Sequence, residues 1–242
     1  MKKVILTGHS KGLGNALASA LIEKGCVVLG ISRSLTHDMN GLQQVTLDLA
    51  DTTALGQWLD SGALKSFLGN TEQAILINNS GVVSPVGPLG MLAAADITRS
   101  IDLNVAAPLV LSNAFVEHTA AVPDRRILHI SSGAGRRGMA GWSVYCATKA
   151  ALDNHARAVH EDSVKNLRIS SLAPGIVDTG MQADIRSCSV EQFPQVSAFQ
   201  DFKAAGDLAS PGETAAKIAG VLLSPGFGDD VIADVRDYQD IT

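Results

Sequence analysis

The sequence predicts one α/β domain in three layers, a doubly wound parallel sheet with helices on both faces. Three observations carry this. Short apolar runs alternate with longer helical patterns along the whole chain. Glycines cluster where the first apolar run gives way to the first helical pattern. The 242 residues are 46% hydrophobic but only 4% aromatic, which suits Ala-, Val-, Leu- and Ile-rich strands buried on both faces in one domain.

Taken in order, strands are expected at 4–7, 27–31, 45–49, 74–78, 127–131, 168–173 and 231–233. Helices are expected at about 12–24, 52–68, 97–120, 143–165 and 211–223. A strand followed by a helix and a parallel strand implies right-handed crossovers. One stretch breaks the alternation: about 178–210 is long, polar at its start and punctuated by Met181, Phe193, Phe199 and Phe202. Such an excursion reads as a lid or substrate loop, with a plain surface insertion as the alternative.

Charge and composition exclude several classes. A net charge of −5 lacks the basic footprint of a nucleic-acid binder. The opening apolar run is too short for a signal-peptide core, and no stretch nears the roughly 18 apolar residues of a membrane span. A cytoplasmic protein is expected. Cys26, Cys146 and Cys188 have no CxxC spacing and read as reduced thiols. The histidines have no metal-ligand spacing, so no metal is expected.

The first strand runs into Thr7-Gly8-His9-Ser10-Lys11-Gly12-Leu13-Gly14 and then an Ala/Leu-rich helix. Glycines at a strand-to-helix turn let the backbone approach a pyrophosphate, and the helix N-terminus offers free N–H groups. A dinucleotide with a free ribose 2′-hydroxyl would call for an acid after the second strand. Ser32-Arg33-Ser34 stand there instead. Arg33 can fork onto a 2′-phosphate, with Ser32 and Ser34 as further donors and Lys11 as a second cation. The predicted cofactor is therefore NADP(H); ordinary solvated charges are the competing reading. Asp48 could accept from the adenine amine, and Leu49 could pack on its ring.

The 143–165 helix opens with Tyr145 and, four residues on, Lys149. Residues at that spacing share a helix face. An ammonium beside a phenol of pKa about 10 should draw it toward the working range of an acid–base catalyst. Ser132, at the end of a strand thirteen residues ahead of Tyr145, can reach the same rim. Asn104 interrupts an apolar helix just before Pro108. A buried amide needs partners, so Asn104 is either satisfied by backbone or joins a polar chain at the site.

The glycine loop at 7–14, Asn78-Asn79-Ser80-Gly81, Asn104, Ser132, Tyr145, Lys149 and Pro174-Gly175 together resemble the short-chain dehydrogenase/reductase family over essentially the whole chain. The resemblance implies a Rossmann-type fold with Tyr145 as general acid and Ser132 holding the substrate oxygen. It implies that Lys149 binds the nicotinamide ribose while lowering the tyrosine pKa, and that Asn104 positions a relay water. Asn79, Pro174, Gly175, Ile176, Val177 and Thr179 would line the nicotinamide half. It further implies a homodimer or homotetramer, formed through the 97–120 and 143–165 helices.

The stretches 174–182 and 185–187, with Gly141-Trp142-Ser143-Val144-Tyr145, are similar to the bacterial benzil reductase branch of that family, a relative of sepiapterin reductase. The expected substrate is a small carbonyl compound, and an aromatic 1,2-diketone such as benzil, giving (S)-benzoin, fits that branch. Trp142, Met139, Met181, Phe193, Phe199 and Phe202 could wall its pocket or serve as ordinary core. A pterin ketone is the rival substrate; for it Asp234 would meet the guanidine-like edge, unless Asp234 only caps the last strand. A non-catalytic NADP(H) sensor is the alternative of a different class. Ser80 stands where alanine is usual, and Gly180 where these relatives carry an acid.

Overall fold

In the computed structural model, which describes residues 1–238, the first strand sets the pattern for the sheet. β1 (Lys2–Thr7) sends Val4 and Leu6 into one apolar layer and Ile5 into the other, all three fully buried. Period-two alternation with apolar residues at every step is what a strand covered on both faces requires. β4 (Gln73–Asn78) repeats it, with Ile75 and Ile77 on one side and Ala74 and Leu76 on the other.

With β2 (Cys26–Ser32), β3 (Leu42–Thr46), β5 (Asp124–Ile130), β6 (Leu167–Ala173) and β7 (Ile232–Asp234), these form one parallel sheet in the order β3-β2-β1-β4-β5-β6-β7. The strand order reverses between β1 and β4, and a doubly wound sheet opens its ligand crevice at that switch point.

α1 (Gly12–Glu23) and α9 (Pro211–Leu223) cover one face, through Leu17 and Leu21 against Ile218 and Leu222. α9 starts where local chemistry dictates. Ser210 and Glu213 form a reciprocal capping box, and Pro211 takes the first turn, where its missing N–H costs nothing. The opposite face is covered by α2 (Thr52–Asp60), α3 (Ala63–Leu68), α5 (Ala107–His118) and α6 (Ser143–Glu161), with α4 (Ala94–Ile101) packed on α6. No helix among the described residues is long and apolar enough to cross a membrane.

Four expectations are corrected. The 52–68 helix is broken at Gly62, whose φ of 76° ends α2 and starts α3. The 97–120 helix begins at Ala94 and carries a wide π-helical turn, Asp102–Ala106, before Pro108. The proline nitrogen cannot donate, which removes one helical bond at that place. The third strand lies earlier than 45–49: β3 is an edge strand, and beyond Leu47 the chain turns away, Asp51 N–H donating to the Asp48 carbonyl. The 178–210 stretch holds two helices, α7 (Gly180–Arg186) and α8 (Val196–Ala205).

Candidate active site

The loop after β1 is built around Thr7. Its buried hydroxyl accepts the backbone N–H groups of Asn79 and Ser80, each at 2.9 Å, tying the ends of β1 and β4 together. The Asn79 amide nitrogen donates to the Thr7 carbonyl at 2.9 Å and to that of Gly8 at 3.3 Å. Asn79 therefore borders the crevice mainly as the brace of the glycine loop. Gly8 takes a φ of 72°, a conformation side chains disfavour.

His9 was not anticipated as a functional residue. Its ring is wholly buried over Gly30 and its Nε2 lies 2.9 Å from the Gln44 Oε1, which pins the loop to β2 and β3. It stands at a variable position of the loop pattern, so the spacing of glycines carries no signal for it.

Along the same crevice, the Ser34 hydroxyl donates to the Ser10 hydroxyl at 3.1 Å, and that of Ser32 donates to the Ser34 carbonyl. Arg33 and Lys11 are exposed there, and neither side chain makes a hydrogen bond or ion pair among the described residues. Asp48 is already engaged: Arg99 donates to its Oδ2 at 2.8 Å and the Ala50 N–H to its Oδ1 at 3.1 Å. Leu49 lines the same cavity beside it.

Beyond β5, Ser132 caps a short 3-10 turn, its Oγ accepting the Ala134 N–H at 3.2 Å. Tyr145 and Lys149, 6% and 5% exposed, face it from the first turns of α6. The Lys149 ammonium donates to the Ile130 carbonyl at 2.7 Å and lies 5.8 Å from the Tyr145 ring centre. Asn104 sits in the π-helical turn, a deformation frequent at functional sites. Its amide exchanges two bonds with the Val82 backbone, at 2.9 and 2.8 Å, and approaches the Thr148 hydroxyl at 3.3 Å. Asn104 is thus satisfied largely by backbone, and its Oδ1 and the Lys149 Nζ border the same point beside Gly81.

The electrostatics correct one expectation. Burial pushes the Tyr145 phenol up to about 12, against a smaller opposing pull from the Ser132 hydrogen bond. Burial also pushes Lys149 down to about 8, with Asp153 acting against it. In the free protein the loss of water around each group outweighs the pulls that oppose it, so the tyrosine is held as a neutral phenol, the form that donates a proton.

One cavity of about 800 Å³ runs from Lys11 and Arg33 past Ser132, Tyr145 and Lys149 to α7 and α8. Pro174, Gly175, Ile176, Val177 and Thr179 line its middle, as do Gly12, Leu13 and Gly14 at the loop. Met139, Trp142, Met181, Phe199 and Phe202 wall its far end.

Phe193 does not belong to that wall. It is fully buried behind Trp142, stacked on the indole with ring centres 4.4 Å apart. Asp234 borders the cavity but is spoken for: Arg236 grips both its oxygens at 2.8 and 2.7 Å, and its carboxylate caps the turn Val235–Asp237. A Cβ at Gly180 would meet nothing within 4 Å, so no close packing requires the glycine there.

Residues 2–189 match the short chain dehydrogenase family. The chain belongs to that family. It is 34% identical to a benzil reductase ((S)-benzoin forming) of Bacillus cereus, covering 94% of this chain and 96% of the relative. To the benzil reductase of Bacillus subtilis strain 168 it is 35% identical, covering 98% and 100%. Sepiapterin reductase of Rattus norvegicus is 31% identical, covering 96% and 95%. Among solved structures, a short-chain dehydrogenase/reductase from Burkholderia vietnamiensis is 42% identical over 98% of both chains, with a TM-score of 0.71. The chain is an oxidoreductase of this family, and the family's fold binds a nicotinamide cofactor.

Proposed function

We propose that the protein is an NADPH-dependent carbonyl reductase whose substrate is an aromatic 1,2-diketone such as benzil, giving (S)-benzoin. The observation that carries this is one cavity that runs from two exposed cations, Arg33 and Lys11, which make no hydrogen bond or ion pair among the described residues, past Ser132, Tyr145 and Lys149 to an apolar wall.

The crevice residues fit such a cofactor. The glycine loop leaves room for a pyrophosphate where a Cβ would intrude, and Arg33 and Lys11 suit a 2′-phosphate where an acid would repel it. Bound there, the cofactor would supply hydride to the carbonyl carbon. The chain's own groups handle charge and protons. Ser132 spends an oxygen lone pair on Ala134, which leaves its hydroxyl proton free to donate to the substrate oxygen. Tyr145, neutral in its buried setting, delivers the proton to the same oxygen. Lys149, anchored on the Ile130 carbonyl, holds the ribose and, with a water beside Asn104, returns a proton to the tyrosine.

The far wall supports the substrate class: Met139, Trp142, Met181, Phe199 and Phe202 offer apolar and aromatic surface, and α7 and α8 are the lid that closes over it. The names of the two Bacillus relatives point the same way. The pterin ketone reading is less well supported, because Asp234 is neutralised by Arg236. The retention of Asn104, Ser132, Tyr145 and Lys149 argues against a non-catalytic sensor. Exposed Ile101 and Val110 on α4 and α5 support a homodimer or homotetramer, and three free thiols support a cytoplasmic setting. Incubation with benzil, sepiapterin and a simple aryl ketone, each with NADPH and with NADH, tests the reading. Consumption of NADPH fastest with benzil is expected; no turnover of any carbonyl would overturn it.

A further inference from the structure

Asp153 lies one helical turn after Lys149 on α6 and is 1% exposed. A carboxylate buried this deeply is costly unless it is bonded or paired. Its Oδ1 accepts from the Ser131 hydroxyl at 2.6 Å and from the Ser171 hydroxyl at 2.7 Å. These two bonds tie α6 to the end of β5, immediately before Ser132, and to β6. Among the described residues its Oδ2 accepts no hydrogen bond, and its one ion-pair partner is the Arg136 Nε at 3.7 Å. Asp153 thus keeps an incompletely compensated charge on the face of α6 it shares with Lys149. No direct ion pair joins the two among the described residues.

We propose that Asp153 is a positioning residue for Lys149: its carboxylate, fixed between Ser131 and Ser171, keeps the buried lysine in its ammonium form at the candidate active site. The proposal rests on the reading of Lys149 as a cation that serves a carbonyl reductase. Burial works against that cation, and the Asp153 charge works for it. The remaining surroundings do not supply a rival anion. On α6 itself the other neighbour is the Tyr145 phenol, and β5 contributes His129, which burial pushes down to about 3 and so keeps neutral. The π-helical turn offers the uncharged Asn104 and the half-buried Asp102, the charged residues of α4, Asp96 and Arg99, are exposed, and Asp234 on β7 is gripped by Arg236.

The test follows the Lys149 amine itself, by NMR of ¹³Cε-labelled lysine in the cofactor-free protein, with Lys149→Met assigning the resonance. Asp153→Asn keeps an oxygen for both serines and removes the charge. Lys149 should then titrate about one pH unit lower or more, as expected on losing a nearby opposite charge. Arg136→Gln should move it the other way, because the exposed guanidinium partly offsets the carboxylate. If Asp153→Asn fails to fold, the Arg136→Gln shift decides alone. An unchanged Lys149 titration, even with lowered activity, would overturn the proposal and leave Asp153 as a pin between strands. In the wild-type enzyme the alkaline limb of kcat/KM should move with the amine in each variant. Absence of turnover in the wild type would instead sink the carbonyl reductase reading, while the titration still decides the role of Asp153.

Discussion

Gly14 packs directly on Gly8: a Cβ at Gly14 would lie 2.0 Å from the Gly8 carbonyl oxygen and 2.6 Å from the Asn79 amide nitrogen. The nearer neighbour is backbone, which cannot rotate away, and the Asn79 amide can swing aside only by giving up its bonds to the loop. Gly14→Ala should therefore open the loop, costing about 1–3 kcal/mol of stability as overpacking generally does. Nicotinamide cofactor binding should weaken at least as much. Thermal unfolding and a fluorescence titration with NADPH check both; a variant with unaltered melting and affinity would contradict the packing argument.

Tyr145→Phe removes a hydroxyl and keeps the ring that packs edge-on against Trp142 at 5.3 Å. The fold and NADPH affinity should survive, while turnover falls by about 10²–10⁴-fold, the usual span for a general acid. Retention of more than about a hundredth of the wild-type rate would contradict the assigned role. Single-turnover measurement with saturating cofactor separates this loss from a binding defect.

The sheet was legible because its central strands carry unbroken apolar runs, as Val4, Ile5 and Leu6 show. The glycine loop, Ser132, Tyr145 and Lys149 were legible because their chemistry is tied to spacing along one strand end or one helix face. Phe193 was misplaced because an aromatic residue in the 178–210 segment looks alike in sequence whether it faces the cavity or stacks behind Trp142. The partners of Asp48 and Asp234 were hidden for different reasons. Arg99 arrives from a distant helix, whereas Arg236 was two residues from Asp234 but nothing local marks a bidentate grip. The tyrosine was expected to be acidified by its lysine, and burial, a property of the packed site, reversed the sign.

Cofactor choice should reside in Arg33. Its side chain is exposed at the crevice and makes no hydrogen bond or ion pair among the described residues, so replacing it breaks no bond seen there. Arg33→Ala should raise KM for NADPH by about 10- to 100-fold, the loss of one charge-assisted contact worth roughly 1.5–3 kcal/mol. KM for NADH should hardly move. Equal effects on both cofactors would show that Arg33 does not read the 2′-phosphate.

Lys149 should cost the free protein stability in a pH window fixed by its burial. Its amine is pushed from an ordinary 10.5 down to about 8, so the unfolded chain binds the proton more tightly than the fold does. The penalty is full below about pH 8, on the order of 3 kcal/mol at 1.36 kcal/mol per unit, and fades as pH rises to about 10.5. Lys149→Met removes the buried charge but also the bond to the Ile130 carbonyl, whose loss costs about 1–2 kcal/mol. The variant should be inactive yet more stable than wild type near pH 7 by about 1–2 kcal/mol. Its advantage should vanish toward pH 10, where the wild-type amine has shed its proton. Denaturant unfolding of both proteins across that range checks the sign. A wild type that is the more stable of the two at pH 7, and loses that lead as pH rises, would show that Lys149 gains more from its neighbours than burial takes away.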